Sequence, residues 1–206
     1  MAKSKDRSWI KRHIRDPYVQ QSQRDGYRSR ASYKLLEIFA KDALIKPGMT
    51  VVDLGAAPGG WSQVAAEQVA PNGSVVALDI LPMDGIAGVD VLTGDFTEVA
   101  VYDRLLELIG DRSTDLVISD MAPNVTGVRD VDQPRSMHLV ELATEFAVNV
   151  LSPGGSFVTK IFQGQGYDEF VRDLRRVFNR VVVRKPDASR AKSREVYVVA
   201  KGFVGQ

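Results

Sequence analysis

Residues 51–61, Val-Val-Asp-Leu-Gly-Ala-Ala-Pro-Gly-Gly-Trp, constrain the chain more than any other stretch. A β-branched and apolar run from Thr50 to Leu54 leads into a glycine-rich turn. Apolar residues then recur at Trp61, Val64, Ala65 and Val69. That order predicts a strand, a tight turn and a helix start. Gly55 and Gly59 let the backbone bend sharply and approach a ligand closely. The helix N-terminus offers free N–H groups to an electronegative partner. A nucleotide-type cofactor site at the mouth of a parallel sheet is the expected result.

The details of the turn select among cofactors. A dinucleotide fingerprint needs Gly-x-Gly-x-x-Gly, but Ala57 stands at its third position, which disfavours pyrophosphate and a nicotinamide-dependent reductase. Asp53, just before the turn, would repel a diphosphate. It is expected to attract a cationic ligand such as S-adenosylmethionine, whose sulfonium and amino groups are both positive. Asp79 ends the next apolar run, where a carboxylate accepts hydrogen bonds from ribose hydroxyls. Asp95, in Thr93-Gly94-Asp95-Phe96, follows a third run and is placed to meet an adenine amino group.

The alternation of apolar runs and helical patterns predicts an α/β doubly wound sheet. Strands are expected at 50–54, 74–79, 88–92, 115–120, 155–162, 180–184 and 195–201. Helices are expected at 31–45, 60–69, 97–109, 134–151 and 166–178, with Pro153-Gly154-Gly155 ending the fourth of these and turning into the next strand. The last two strands lack a helix between them and read as an antiparallel pair at one edge. Asp53, Asp79, Asp95 and Asp120 would then gather beyond the carboxyl ends of the strands, where such sheets bind ligands.

Composition narrows the function classes. The 206 residues contain no cysteine, which excludes disulfides, zinc–thiolate sites and a thiolate nucleophile. No metal-binding cluster is apparent. No apolar run reaches the roughly 18 residues of a membrane span, and no signal-type segment opens the chain. A cytoplasmic location without membrane association is expected. A net charge of +1 conceals a strong asymmetry. Residues 1–34 hold ten basic and three acidic residues, residues 35–178 ten and 21, and residues 179–194 six and one. Two basic segments flanking an acidic body suit a protein that touches a polyanion at one edge. Trp9, Tyr18, Tyr27 and Tyr33 interleave with the N-terminal charges and offer rings for unpaired bases. Residues 1–30 read as a basic, RNA-contacting and partly flexible extension, and residues 31–206 as one domain.

Chemistry concentrates at two strand ends. Ile118-Ser119-Asp120-Met121-Ala122-Pro123-Asn124 aims Asp120 into the cofactor crevice. Asn124 stands where amino-group methyltransferases carry an aromatic residue, which weakens a nitrogen-methylating reading. Lys160 lies among Phe157, Val158, Ile161 and Phe162, an unusually apolar setting for a lysine. Spacing does not show whether Lys34 and Glu195 join them.

Arg28-Ser29-Arg30-Ala31, Asp53 to Trp61, Leu81-Pro82-Met83-Asp84, Ser119 to Asn124, Pro153 to Phe157, Phe162-Gln163-Gly164 and Arg184-Lys185-Pro186-Asp187 through Arg194-Glu195-Val196-Tyr197 together make the chain resemble the FtsJ/RrmJ family of ribosomal RNA 2′-O-methyltransferases nearly end to end. The resemblance implies a Rossmann-like methyltransferase fold with a seven-stranded, mostly parallel sheet, an antiparallel last strand and helices on both faces. It implies a catalytic tetrad of Lys34, Asp120, Lys160 and Glu195, and cofactor contacts at Gly59, Trp61, Asp79, Asp95 and Asp120. The expected substrate is a uridine of large-subunit ribosomal RNA, in the A-loop of the peptidyl-transferase region, within an assembled or late-assembling subunit. Arg24, Arg28, Arg30, Arg184, Lys185, Arg190, Lys192 and Arg194 would contact phosphates. A monomer is expected. The competing readings are 2′-O-methylation of tRNA and a ribosome-assembly factor that binds RNA without catalysis.

Overall fold

The computed structural model describes residues 15–124, 126–190 and 192–205. Trp9 and the charged residues before Arg15 lie outside them. The described chain runs α1 (Pro17–Asp25), α2 (Ala31–Asp42), β1 (Thr50–Leu54), α3 (Gly60–Val69), β2 (Ser74–Asp79), β3 (Val89–Thr93), α4 (Val99–Ile109), β4 (Thr114–Ser119), α5 (Arg129–Val150), β5 (Leu151–Phe162), α6 (Tyr167–Val177), β6 (Phe178–Arg184) and β7 (Glu195–Phe203).

One seven-stranded sheet has the order β3-β2-β1-β4-β5-β7-β6. Strands β1 to β5 pair in parallel, and β7 inserts antiparallel between β5 and β6. The expected antiparallel pair is therefore present, with the last strand as the inner one. All five residues of β1 are buried, and their side chains alternate between two cores. Val51, Val75, Leu116 and Val158 face Leu35, Ile38, Trp61 and Val64 of α2 and α3. Val52, Val76, Val117 and Phe157 face Leu105, Phe146, Phe170 and Leu174 of α4, α5 and α6. Near-continuous apolar strands are what a parallel sheet covered on both faces requires. Burial of a Leu, Val or Phe side chain contributes about 1.5–3 kcal/mol, so both helical layers anchor the strand ends that carry polar groups.

The order reverses between β1 and β4, and such a switch point opens a crevice at the carboxyl ends of the strands. Among the described residues no helix is long and apolar enough to cross a membrane.

Three expectations are corrected here. The N-terminal segment holds a helix, α1, that the sequence reading passed over. Asp16 caps it by accepting from the Tyr18 N–H at 3.1 Å, Pro17 opens it and Gly26 closes it at φ 78°; these are ordinary start and stop signals. Helix α5 begins at Arg129 rather than 134, so Pro134 lies inside it. The Asp132 carboxylate stabilises the earlier start by accepting from the Thr126 N–H and hydroxyl and the Gly127 N–H. Finally, Pro153-Gly154-Gly155 lies within β5, at an irregularity in which Thr114 pairs with Leu151 but Leu116 with Ser156.

Candidate active site

The crevice forms a cavity of about 800 Å³ walled in part by Gly55, Asp79, Asp95, Phe96, Asp120 and Met121. Gly55 sits at φ 78°, and a Cβ there would come 2.7 Å from the Met121 side chain, so glycine is required where β1 turns beneath the cavity. Both oxygens of Asp79 accept backbone bonds at 2.8 Å, one from the Ala57 N–H and one from the Leu81 N–H. Asp79 thus locks the glycine turn to the start of the next loop. Asp95 Oδ1 accepts from the Thr97 N–H and hydroxyl at 2.9 and 2.7 Å. These bonds from Thr97 hold its carboxyl below the usual range. Two carboxyl groups in one largely apolar-walled crevice suit a ligand carrying hydroxyl and amino donors.

Asp53 does not join them. Its side chain is fully buried and accepts from the Ser62 hydroxyl at 2.6 Å, tying β1 to α3. Burial pushes its carboxyl up to about 7, with the Ser62 bonds opposing and the charges of Asp120 and Asp79 adding. The expectation that Asp53 attracts a cationic ligand is corrected: it is enclosed beneath the turn, where no ligand reaches it. Gly59 and Trp61 are likewise absent from the cavity wall. Gly59, at φ 103°, is the residue that precedes and caps α3. Trp61 is buried, donates its indole N–H to the Ala31 carbonyl at 2.8 Å and packs on Tyr197 at 5.6 Å between ring centroids. Conversely, Arg135 and His138 of α5 line the cavity, although nothing in their spacing marked them.

At Asp120, which lines the crevice, the fold brings four distant charges together; Lys34, Lys160 and Glu195 lie behind it and are not part of the cavity wall. Lys160, on β5 and only 7% exposed, lies 3.0 Å from Asp120 Oδ1 and also donates to the Asp120 carbonyl. Lys34, on α2, lies 2.5 Å from Glu195 Oε1 on β7. The Tyr197 hydroxyl joins the two pairs. It lies 2.9 Å from Asp120 Oδ1 and 3.3 Å from Glu195 Oε1, and it accepts from Lys34 Nζ at 3.0 Å. Tyr197 is 0% exposed. Burial, with the charges of Asp120 and Glu195 beside it, raises its hydroxyl well above 10, so it remains a proton donor. Burial alone would raise the Glu195 carboxyl; the Lys34 ammonium, helped by Lys160 and the Ser189 hydroxyl at 3.1 Å, holds it below its usual value. A buried charge needs such partners to be tolerated. Tyr197 carries no expected role in the sequence. Its place two residues after Glu195, on the same face of a strand, was the available signal.

The basic residues divide into two groups. Arg184 is committed to Asp42, at 2.8 and 2.6 Å, and Arg30 to Asp16, at 2.6 Å, and the Ala188 carbonyl. Both therefore also serve as internal anchors. Arg28 donates to the Asp84 and Gly85 carbonyls. Lys185 donates to the Ser193 and Glu195 carbonyls, Arg194 to Gln163 and Arg24 to Gln20, all from exposed positions. Arg190 and Lys192 are exposed and make no side-chain hydrogen bond or ion pair among the described residues.

Comparison with known proteins identifies the family of the chain. The model of the FtsJ-like methyltransferase family matches residues 27–203. A ribosomal RNA large subunit methyltransferase E from Cellvibrio japonicus is 60% identical over 206 residues, covering 100% of this chain and 98% of that protein. The protein of the same name from Pseudomonas aeruginosa strain PAO1 is 58% identical over 207 residues, with both chains covered completely. A solved structure of a ribosomal RNA methyltransferase from Plasmodium falciparum superposes with a TM-score of 0.79 at 30% identity, over 87% of this chain and 100% of that one. The chain belongs to the FtsJ-like methyltransferase family.

Proposed function

We propose that this protein methylates the ribose 2′-hydroxyl of a uridine in large-subunit ribosomal RNA, in the A-loop of the peptidyl-transferase region, with S-adenosylmethionine as methyl donor. The observation that carries the reading is the pairing of buried Lys160 with Asp120, a residue that lines the same cavity as Asp79 and Asp95. The relatives' names supply the large-subunit RNA. The uridine and its 2′-oxygen rest on the family resemblance of the tetrad.

The cavity residues fit the donor. Asp79 would accept from its ribose hydroxyls and Asp95 from its adenine amino group, with Asp120 near its cationic end; Gly55, Gly59 and Trp61 shape the turn beneath. S-adenosylmethionine supplies an electrophilic methyl group on a sulfonium.

The chain's own residues orient the nucleophile. An ammonium has three N–H donors, and Lys160 directs two at Asp120, one to the carboxylate and one to the carbonyl. The third is left for the ribose oxygen. Lys160 therefore fixes the direction of the hydroxyl lone pair, and Asp120 Oδ2, without a hydrogen bond among the described residues, is an open acceptor for the departing proton. Orientation of this kind can supply roughly 7–11 kcal/mol of a barrier. Lys34 and Glu195 hold Tyr197, and through it Asp120, in register. Arg24, Lys185, Arg190, Lys192 and Arg194 bind phosphates outside the crevice.

The test is methyl transfer from labelled S-adenosylmethionine to unmethylated large subunits, with free ribosomal RNA and tRNA in parallel. Alkali-resistant label in the subunit is expected. Label only in tRNA would overturn the substrate. Cofactor binding without label anywhere would favour an assembly factor.

A further inference from the structure

Arg28 stands in the basic N-terminal segment and is exposed, yet its guanidinium is held by the protein's own backbone. It donates to two successive carbonyls, Asp84 at 2.6 Å and Gly85 at 2.7 Å, and makes a longer contact of 3.4 Å with the Pro58 carbonyl. Its own backbone is stitched to α3. The Arg28 N–H donates to Gln63 Oε1 at 3.2 Å, and Gln63 donates back to the Gly26 carbonyl at 3.0 Å. The side chain therefore projects from an anchored base.

What it grips is the segment joining β2 to β3, which has neither helix nor strand. The ends of that segment are tied to the sheet, by the Leu81 N–H to Asp79 and the Val75 N–H to Gly88. Among the described residues, apart from the local Val89 N–H to Ile86 bond, Arg28 makes the hydrogen bonds joining residues 82–87 to the rest of the chain. The grip is tight at its far side: a Cβ on Gly59 would come 2.8 Å from Ile86 Cδ1 and 3.1 Å from the Arg28 guanidinium. The same segment carries Ile80 and Leu81, which are 63% and 61% exposed and line the cavity beside Asp79. Large apolar side chains left this open on a cavity wall gain burial only when a ligand covers them.

We propose that Arg28 is a positioning residue for the methyl-donor cavity rather than an RNA contact. By clamping residues 82–87 against the Pro58–Gly59 turn, it fixes the start of the segment so that Ile80 and Leu81 form a ready-made apolar wall for the donor. The fork of a guanidinium matches two neighbouring carbonyls; an ammonium would hold one firmly. The inference rests on the reading of the cavity as the S-adenosylmethionine site.

The experiment is calorimetric binding of S-adenosylmethionine to the full chain and to Arg28→Ala, Arg28→Lys, Leu81→Ala and the Arg28→Ala/Leu81→Ala double variant. Binding of large-subunit RNA is measured alongside. Arg28→Ala is expected to raise the donor Kd about tenfold, in line with loss of charge-assisted hydrogen bonds. Its KM for the donor should rise with kcat unchanged at saturation, and RNA affinity and its salt dependence should stay as in the parent. Arg28→Lys should fall between the two, with an unchanged melting temperature, which keeps the test valid if Arg28→Ala folds poorly. The double variant should lose less than the sum of the single losses, because both act through one segment. Parental donor affinity in Arg28→Ala and Arg28→Lys, or lost RNA affinity in its place, would overturn the inference. Failure of the parent itself to bind the donor would instead overturn the cavity's assignment.

Discussion

The two halves of the site are built on opposite plans. On the cavity side, carboxylates are held by nearby backbone: Asp79 by Ala57 and Leu81, and Asp95 by Thr97. On the crevice floor, side chains hold one another across long stretches of sequence: Lys34 with Glu195, Lys160 with Asp120, and Tyr197 between the pairs. The cavity is a set of independent contacts, so damage there should stay local and graded. The floor is a network, and networks respond to the loss of one member by more than its own contact.

On the floor, Lys34→Ala removes the cation from Glu195 and the donor to Tyr197. Turnover should fall about a hundredfold, within the usual range for groups that act on the proton-transfer machinery, and donor binding should hold. Single-turnover kinetics and calorimetry check it; a loss confined to binding would erase the distinction between the halves. On the cavity side, Asp95→Ala should raise the donor Kd by roughly ten- to a hundredfold, the effect of a lost charged hydrogen bond, with turnover retained at saturating donor.

Asp53 belongs to neither half, being enclosed between β1 and α3. Its folded value of about 7 stands above the ordinary 3.8. Its contribution to stability is therefore full below 3.8 and is lost as the pH rises through about 7. Asp53→Asn should flatten that part of the stability profile in denaturant titrations from acid to neutral pH. A profile as steep as the parent's would assign the dependence elsewhere. The smallest effect belongs outside the crevice. Replacing Arg190 and Lys192 together by alanine should reduce the slope of log affinity against log salt by about 0.7 per lost phosphate contact to single-stranded RNA, with donor binding intact. Filter binding over a salt series reads it.

The same division governs what the sequence made legible. Asp79 and Asp95 were readable because each ends a strand whose apolar run is visible on its own, and parallel topology then gathers the strand ends. Asp53 shared that pattern but sits just before the turn, where the enclosing helix α3 buries it. A strand-end rule cannot distinguish a residue facing the crevice from one facing the helix layer. On the floor, Asp120 and Lys160 stood out from their own strands, whereas Lys34 and Glu195 joined them only through family resemblance. Lys34 meets Glu195 because α2 covers the face of the sheet on which β7 inserts, a pairing across 161 positions that no periodicity reports. The hub role of Tyr197 and the internal partners of Arg28, Arg30 and Arg184 were hidden for a related reason. Residue type and local charge do not say whether a tyrosine is core or hub, or whether an arginine meets solvent or a carbonyl.

The central claim is that Lys160 acts on the reacting oxygen and not on the donor. Its most direct test is Lys160→Ala, with single-turnover methyl transfer to large subunits and calorimetric binding of S-adenosylmethionine measured on the same preparation. The account predicts transfer reduced by at least about a thousandfold with donor affinity within about twofold of the parent. Near-parental transfer, or a loss explained wholly by weaker donor binding, would contradict it.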